Sequence, residues 1–152
     1  MKSFIALFLC ITVGLTAGCG RGPKRPEGMP DLYKTTITIT QADSPLADAM
    51  VNLKLADGAQ SQWYSGGATD ANGVVTVSTQ GDFQGAPAGK YKVLVSKVTT
   101  ENDPSNERSL TYEMVDPQYA NFAKTPLEIE IKAEPGNTFT LDVGPNYKKA
   151  VN

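Results

Sequence analysis

Between Thr69 and Val77 the chain reads Thr-Asp-Ala-Asn-Gly-Val-Val-Thr-Val, and this run constrains the fold more than any other. Asp70 and Asn72 bond readily to their own backbone, and Gly73 supplies a positive φ at no steric cost. The β-branched residues that follow favour a pleated, half-buried surface. A turn therefore feeds a strand that opens at Gly73. The arrangement returns at Ala86–Val95, where Pro87 and Gly89 precede the alternating Tyr91, Val93 and Val95. The two runs predict neighbouring strands of one antiparallel sheet.

The rest of the body carries the same period of two. Ile37 and Ile39 alternate with Thr36, Thr38 and Thr40, and Val51, Leu53 and Leu55 alternate with Asn52 and Lys54. Leu127, Ile129 and Ile131 alternate with Glu128, Glu130 and Lys132. Phe139, Leu141 and Val143 follow after Glu134-Pro135-Gly136-Asn137, so the last two runs predict a hairpin. Gln60–Tyr64 is a weaker strand candidate in which Trp63 and Tyr64 cannot both face the core. Leu110–Val115 reads as a short edge strand, and the polar stretch from Thr99 to Ser109 as a surface loop. Asp116 before Pro117 predicts one helical turn over 116–122, with Tyr119 and Phe122 together at i, i+3. With no long helix, the pattern is all-β: an antiparallel Greek-key sandwich of about seven strands over residues 34–145, followed by a frayed tail at 146–152.

The first 18 residues stand outside that domain. Lys2 precedes an apolar run from Phe4 to Leu15, and Thr16-Ala17-Gly18 supplies the small residues of a cleavage site. A permanent span needs about 20 apolar residues, so a cleaved leader is expected. Thr16-Ala17-Gly18-Cys19 resembles the lipobox of bacterial lipoproteins, with Thr16 where that box usually has Leu. The resemblance implies that Cys19 is diacylated, becomes the mature N-terminus and holds the protein at a membrane. Gly20 stands where inner-membrane lipoproteins of many double-membraned bacteria carry Asp, which implies the outer membrane. Cys10 would leave with the leader, so the mature chain has one thiol and no internal disulfide. Residues 19–33, with three prolines between Gly20 and Pro30, read as a tether whose Arg21, Lys24 and Arg25 meet solvent or anionic head groups. The formal net charge of −2 becomes more negative by one once Lys2 is removed. With no clustered basic face, nucleic acid is excluded as a partner.

Three motifs in order carry a further resemblance: Pro45-Leu46-Ala47-Asp48-Ala49-Met50-Val51, Thr69-Asp70-Ala71-Asn72-Gly73 and Pro87-Ala88-Gly89-Lys90-Tyr91-Lys92-Val93. Together they resemble the carboxypeptidase regulatory-like domain, a transthyretin-like (prealbumin-like) sandwich, with Asp48 where that family often has Gly. Tyr119 through Val143, including Lys124-Thr125-Pro126-Leu127, resembles the C-terminal half of short bacterial envelope lipoproteins built on this domain. The resemblance implies a non-catalytic accessory or adhesion module. On the residues themselves, Asp70, Asn72, Gly73, Pro87 and Gly89 are structural turn residues.

The chain contains no histidine. This removes Ser-His-Asp and Cys-His catalysis, His-ligated zinc and the commonest general base near neutral pH. It also sets aside the transthyretin-like hydrolases, which work with histidines. Glu128 with Glu130, or Asp103 with Glu107, are the carboxylate pairs worth weighing, and alternating charge on a wet strand face is the plainer explanation. Asp70-x-Asn72-Gly73 is not an EF-hand, because Gly73 falls at the fourth position and Gly81 at the twelfth; Asp70 and Asp82 leave a weak surface calcium site open. No cofactor is called for. Trp63, Tyr64 and Phe83 flank the central turns and form a candidate platform for a sugar or peptide. The expected function is that of a lipid-anchored structural or protein-interaction module. A carbohydrate- or peptide-binding module using the Trp63/Tyr64 end is the alternative.

Overall fold

In the computed structural model, which describes residues 23–103 and 108–151, the threonine–isoleucine alternation becomes a strand in which Thr35, Ile37, Ile39 and Gln41 are buried and the residues between are half-buried. In chain order the elements are β1 (Leu32–Tyr33), β2 (Thr35–Gln41), β3 (Ser44–Pro45), β4 (Met50–Leu55), β5 (Ser65–Ala68), β6 (Val74–Thr76), β7 (Ser78–Thr79), β8 (Phe83–Gln84), β9 (Ala86–Pro87) and β10 (Gly89–Ser96). Then come β11 (Val98–Asp103), β12 (Arg108–Glu113), the 3-10 turn η1 (Pro117–Ala120), β13 (Glu128–Ile131), β14 (Asn137–Asp142) and β15 (Lys149–Ala150).

The larger sheet has the order β13-β10-β4-β5-β7-β8 and is antiparallel throughout. The smaller has the order β14-β2-β3, with β6 also paired to β2. Ile37, Ile39 and Val75 from the smaller sheet meet Val51, Leu53, Val93, Val95 and Ile131 from the larger in one buried cluster. Each such side chain contributes about 1.5–3 kcal/mol by leaving water. The fold is a β-sandwich. Among the described residues no helix is long and apolar enough to cross a membrane.

Several pairings differ from those the sequence predicts. Gly73–Thr79 is not one strand beside β10. It breaks at the buried Val77, so that β6 joins β2 in the smaller sheet while β7 joins β5 and β8 in the larger. Leu127–Val143 is not a hairpin. β13 pairs with β10, whereas β14 pairs in parallel with β2, the one parallel pairing among the described residues. Asn137 makes this parting possible. Its side chain accepts from Lys132 N and donates to the carbonyls of Lys132 and Glu134, satisfying the backbone where the chain leaves one sheet for the other. Gln60–Tyr64 is not a strand, and the polar stretch after Thr99 enters a two-stranded ribbon of β11 and β12, joined by β15. Ahead of Lys34 the chain has already joined the body, since Met29 is buried and β1 pairs with β9.

At the end of the ribbon, the 3-10 turn forms where Asp116 and Pro117 predict one. The Asp116 carboxylate accepts from Gln118 N.

Tyr91 gives a pH expectation. Its hydroxyl donates to Pro87 O at 2.9 Å, and burial raises its pKa from the ordinary 10.0. The neutral phenol is therefore favoured in the fold. This contribution is complete below pH 10 and is lost as the pH rises from there through the raised folded value, because the unfolded chain releases its proton first. Thermal melts should show a drop in Tm above pH 10 that is smaller in Tyr91→Phe; parallel profiles for the two proteins would contradict it.

Candidate functional site

The residues expected to make turns do so with their side chains and backbone. Asp70 Oδ1 accepts from Asn72 N and Val74 N, both at 2.9 Å, and Asp70 O accepts from Gly73 N. With one carboxylate oxygen committed to two backbone donors, Asp70 is a turn-former; among the described residues no three His, Cys, Asp or Glu side chains gather to hold a metal ion. Gly73 has φ 71° and packs against the backbone of Ile39 in β2 and of Pro45 and Leu46 at the end of β3. Asp48, where the resembled family often has Gly, has φ 54°, a left-handed conformation that Asp and Gly tolerate. Pro87 lies in β9 opposite Leu32, and Gly89 opens β10 opposite Ile131.

The two glutamates of β13 stand in a cross-strand ladder. Glu130 faces Lys90 and Glu128 faces Lys92, with Lys92 Nζ 3.9 Å from the Glu128 carboxylate. Such an arrangement is a charged sheet surface. Glu107, of the other carboxylate pair, lies outside the described residues, as do Cys19 and the whole leader.

The aromatic residues give the more distinctive geometry. The segment between β4 and β5 loops over the outer face of the larger sheet. It is pinned at its start by Gly58 N donating to Leu55 O and Ala59 N to Asp57 Oδ1, and at its end by Gln80, whose amide donates to Gln62 O and whose backbone N donates to Tyr64 O. Ser61 and Trp63 bond each other through the Ser61 hydroxyl. This loop and Phe122, from the segment after η1, enclose a depression of about 320 Å³. Trp63, Tyr64 and Phe122 are its aromatic walls, with Lys54, Gln60 and Ser61 as polar lining. The Tyr64 hydroxyl donates to Asn52 Oδ1 at 2.8 Å, which fixes the ring although the residue is 56% exposed. Phe122 is held from behind by Lys92, whose ammonium lies 5.3 Å from the ring centre.

The structure thus unites Trp63 and Tyr64, leaves Phe83 outside the depression in β8, and adds Phe122, which sequence reasoning placed only as a partner of Tyr119. A second hollow of about 280 Å³ lies beside Lys90, Tyr91, Glu128 and Glu130. A depression with three aromatic walls and a polar rim can take a ligand with an apolar ring face and hydroxyls at its edge.

No protein-family model matches this chain, and no curated protein does. Two solved structures are similar to it. The major pilin subunit of Bacillus cereus is 17% identical with a TM-score of 0.45, over 77% of this chain and 30% of the pilin. A 9R-lipoxygenase from Cyanothece PCC8801 is also 17% identical, with a TM-score of 0.39, over 80% of this chain and 18% of the enzyme. The chain therefore spans less than a third of the length of either.

Proposed function

We propose that this chain is a lipid-anchored, non-enzymatic β-sandwich of the bacterial cell envelope, placed at the outer membrane, that works by contact through the depression of Trp63, Tyr64 and Phe122. The observation that carries the reading is the use made of the polar groups. Asp70, Asp116 and Asn137 serve their own backbone, and Glu128 and Glu130 face lysines, while the half-buried Trp63 and Phe122 and the exposed Tyr64 line the open space of the depression. The resemblance to the carboxypeptidase regulatory-like domain supports a binding or spacing role in the same direction, and the lipobox-like Thr16-Ala17-Gly18-Cys19 supports the anchor. Acyl chains on Cys19 would hold the protein strongly, since each buried methylene is worth about 0.8 kcal/mol.

The anchor is tested by expressing the full chain and Cys19→Ala with radioactive palmitate. The native chain should carry label and sediment with outer membranes. Cys19→Ala should lose the label to background and move to the soluble fraction; label and sedimentation unchanged in the variant would overturn the anchoring reading.

A further inference from the structure

The charges around the depression point to the class of ligand it takes. Along one row of the larger sheet, Lys92 of β10 stands directly opposite Glu128 of β13 on one side and directly opposite Lys54 of β4 on the other. Lys92 is already engaged, by Glu128 at 3.9 Å and by the face of Phe122. Lys54 is exposed and lines the depression, and its side chain has no ion-pair or hydrogen-bond partner among the described residues. Two like charges directly opposite on antiparallel strands destabilise the pair. The sheet thus sets two cations side by side, and the uncompensated one, Lys54, stands at the wall of an aromatic depression that no acidic residue lines.

Fixed positive charge, flat apolar walls and hydrogen-bonding groups at the rim select an anion that is also a ring with one apolar face and several hydroxyls. We infer that the depression binds a saccharide bearing a carboxylate, with the carboxylate against Lys54 and the ring's C–H face on Trp63, between Tyr64 and Phe122. Gln60 and Ser61 supply hydrogen bonds to the hydroxyls. The volume of about 320 Å³ is at the low end of small-molecule sites, room for one or two sugar rings. Lys54 gives the preference for the acid, because a charge-assisted bond to a carboxylate is about twice as strong as a neutral one. This inference rests on the depression being the contact surface and is independent of the lipid anchor.

Carboxylated sugars reach an envelope from uronate polysaccharides and from muramic acid in the wall, so the test uses both. The full chain in detergent is titrated with trigalacturonate, with a disaccharide of N-acetylglucosamine and N-acetylmuramic acid, and with neutral maltotriose, following Trp63 emission. At least one acidic probe should give a saturable shift and bind ten times or more tightly than maltotriose. In Lys54→Gln this preference should vanish, while its Tm stays equal to or above that of the native chain, because the substitution relieves the Lys92–Lys54 repulsion. Binding by neither acid at millimolar concentration, or an acid preference intact in Lys54→Gln, overturns the inference. Equal binding of all three sugars also overturns it but leaves the contact surface standing. Undiminished binding to Trp63→Ala, measured by calorimetry, removes that surface as well.

Discussion

Gly73→Ala should destabilise the domain by about 3 kcal/mol or more, read as a lower urea midpoint with an unchanged slope. Two costs combine. The residue has φ 71°, which alanine adopts with a penalty of about 1–2 kcal/mol. A Cβ there would lie 2.5 Å from Ile39 O in β2 and 2.9 Å from Leu46 N just after β3, and both are backbone atoms that cannot rotate away. Ile39 N also donates to Gly73 O at 2.8 Å, so the two segments cannot separate without losing that bond. Gly136 provides the control, since it has φ 84° with nothing within 4 Å of its would-be Cβ. Gly136→Ala should cost only the conformational part. Equal losses in the two variants would refute the close-approach argument.

Thr69→Val should cost about 3 kcal/mol although it preserves shape. Thr69 is 3% exposed; its hydroxyl donates to Leu46 O at 2.6 Å and accepts from Ala49 N at 2.9 Å. Valine leaves both backbone groups buried and unpaired, each worth about 1–3 kcal/mol. Thr69→Ser keeps the hydroxyl and should recover most of the loss. If serine were as damaging as valine in chemical denaturation, packing of the methyl group and not hydrogen bonding would be the cause.

Thr69 also illustrates what the chain reveals about itself. The Thr-Asp-x-x-Gly run reads as a turn into a strand, and Asp70 and Gly73 behave as a turn demands. That the threonine clamps Leu46–Ala49, far away in sequence, follows only once the two motifs meet in space. The strands themselves are legible wherever one face is buried: β2, β4, β10, β13 and β14 coincide with period-two runs. Partners are less legible, because alternation specifies a face and is silent about the neighbour. The short Glu134–Asn137 connection suggests a local hairpin, whereas β13 and β14 go to opposite sheets with the Asn137 side chain bonding the backbone where they part. Of the β11–β12 ribbon, the edge strand read at Leu110–Val115 overlaps β12, while β11 escapes notice for a different reason. The ribbon's Val98 and Leu110 are exposed, so without a core face it has no apolar stripe to display. At the candidate site, Trp63 and Tyr64 are visible as neighbouring aromatics, whereas Phe122 and Lys54 join them through tertiary structure alone.

The parallel pairing of β14 with β2 has a kinetic meaning. One flank of β2 is closed by a segment that ends at Asp142, after most of the chain has been made. Contacts so remote in sequence form late and slowly, because a long loop must close before they give any return. Until residues 137–142 are in place, β2 therefore keeps one flank bare beside its isoleucines, and the sandwich waits on β14 before it can close.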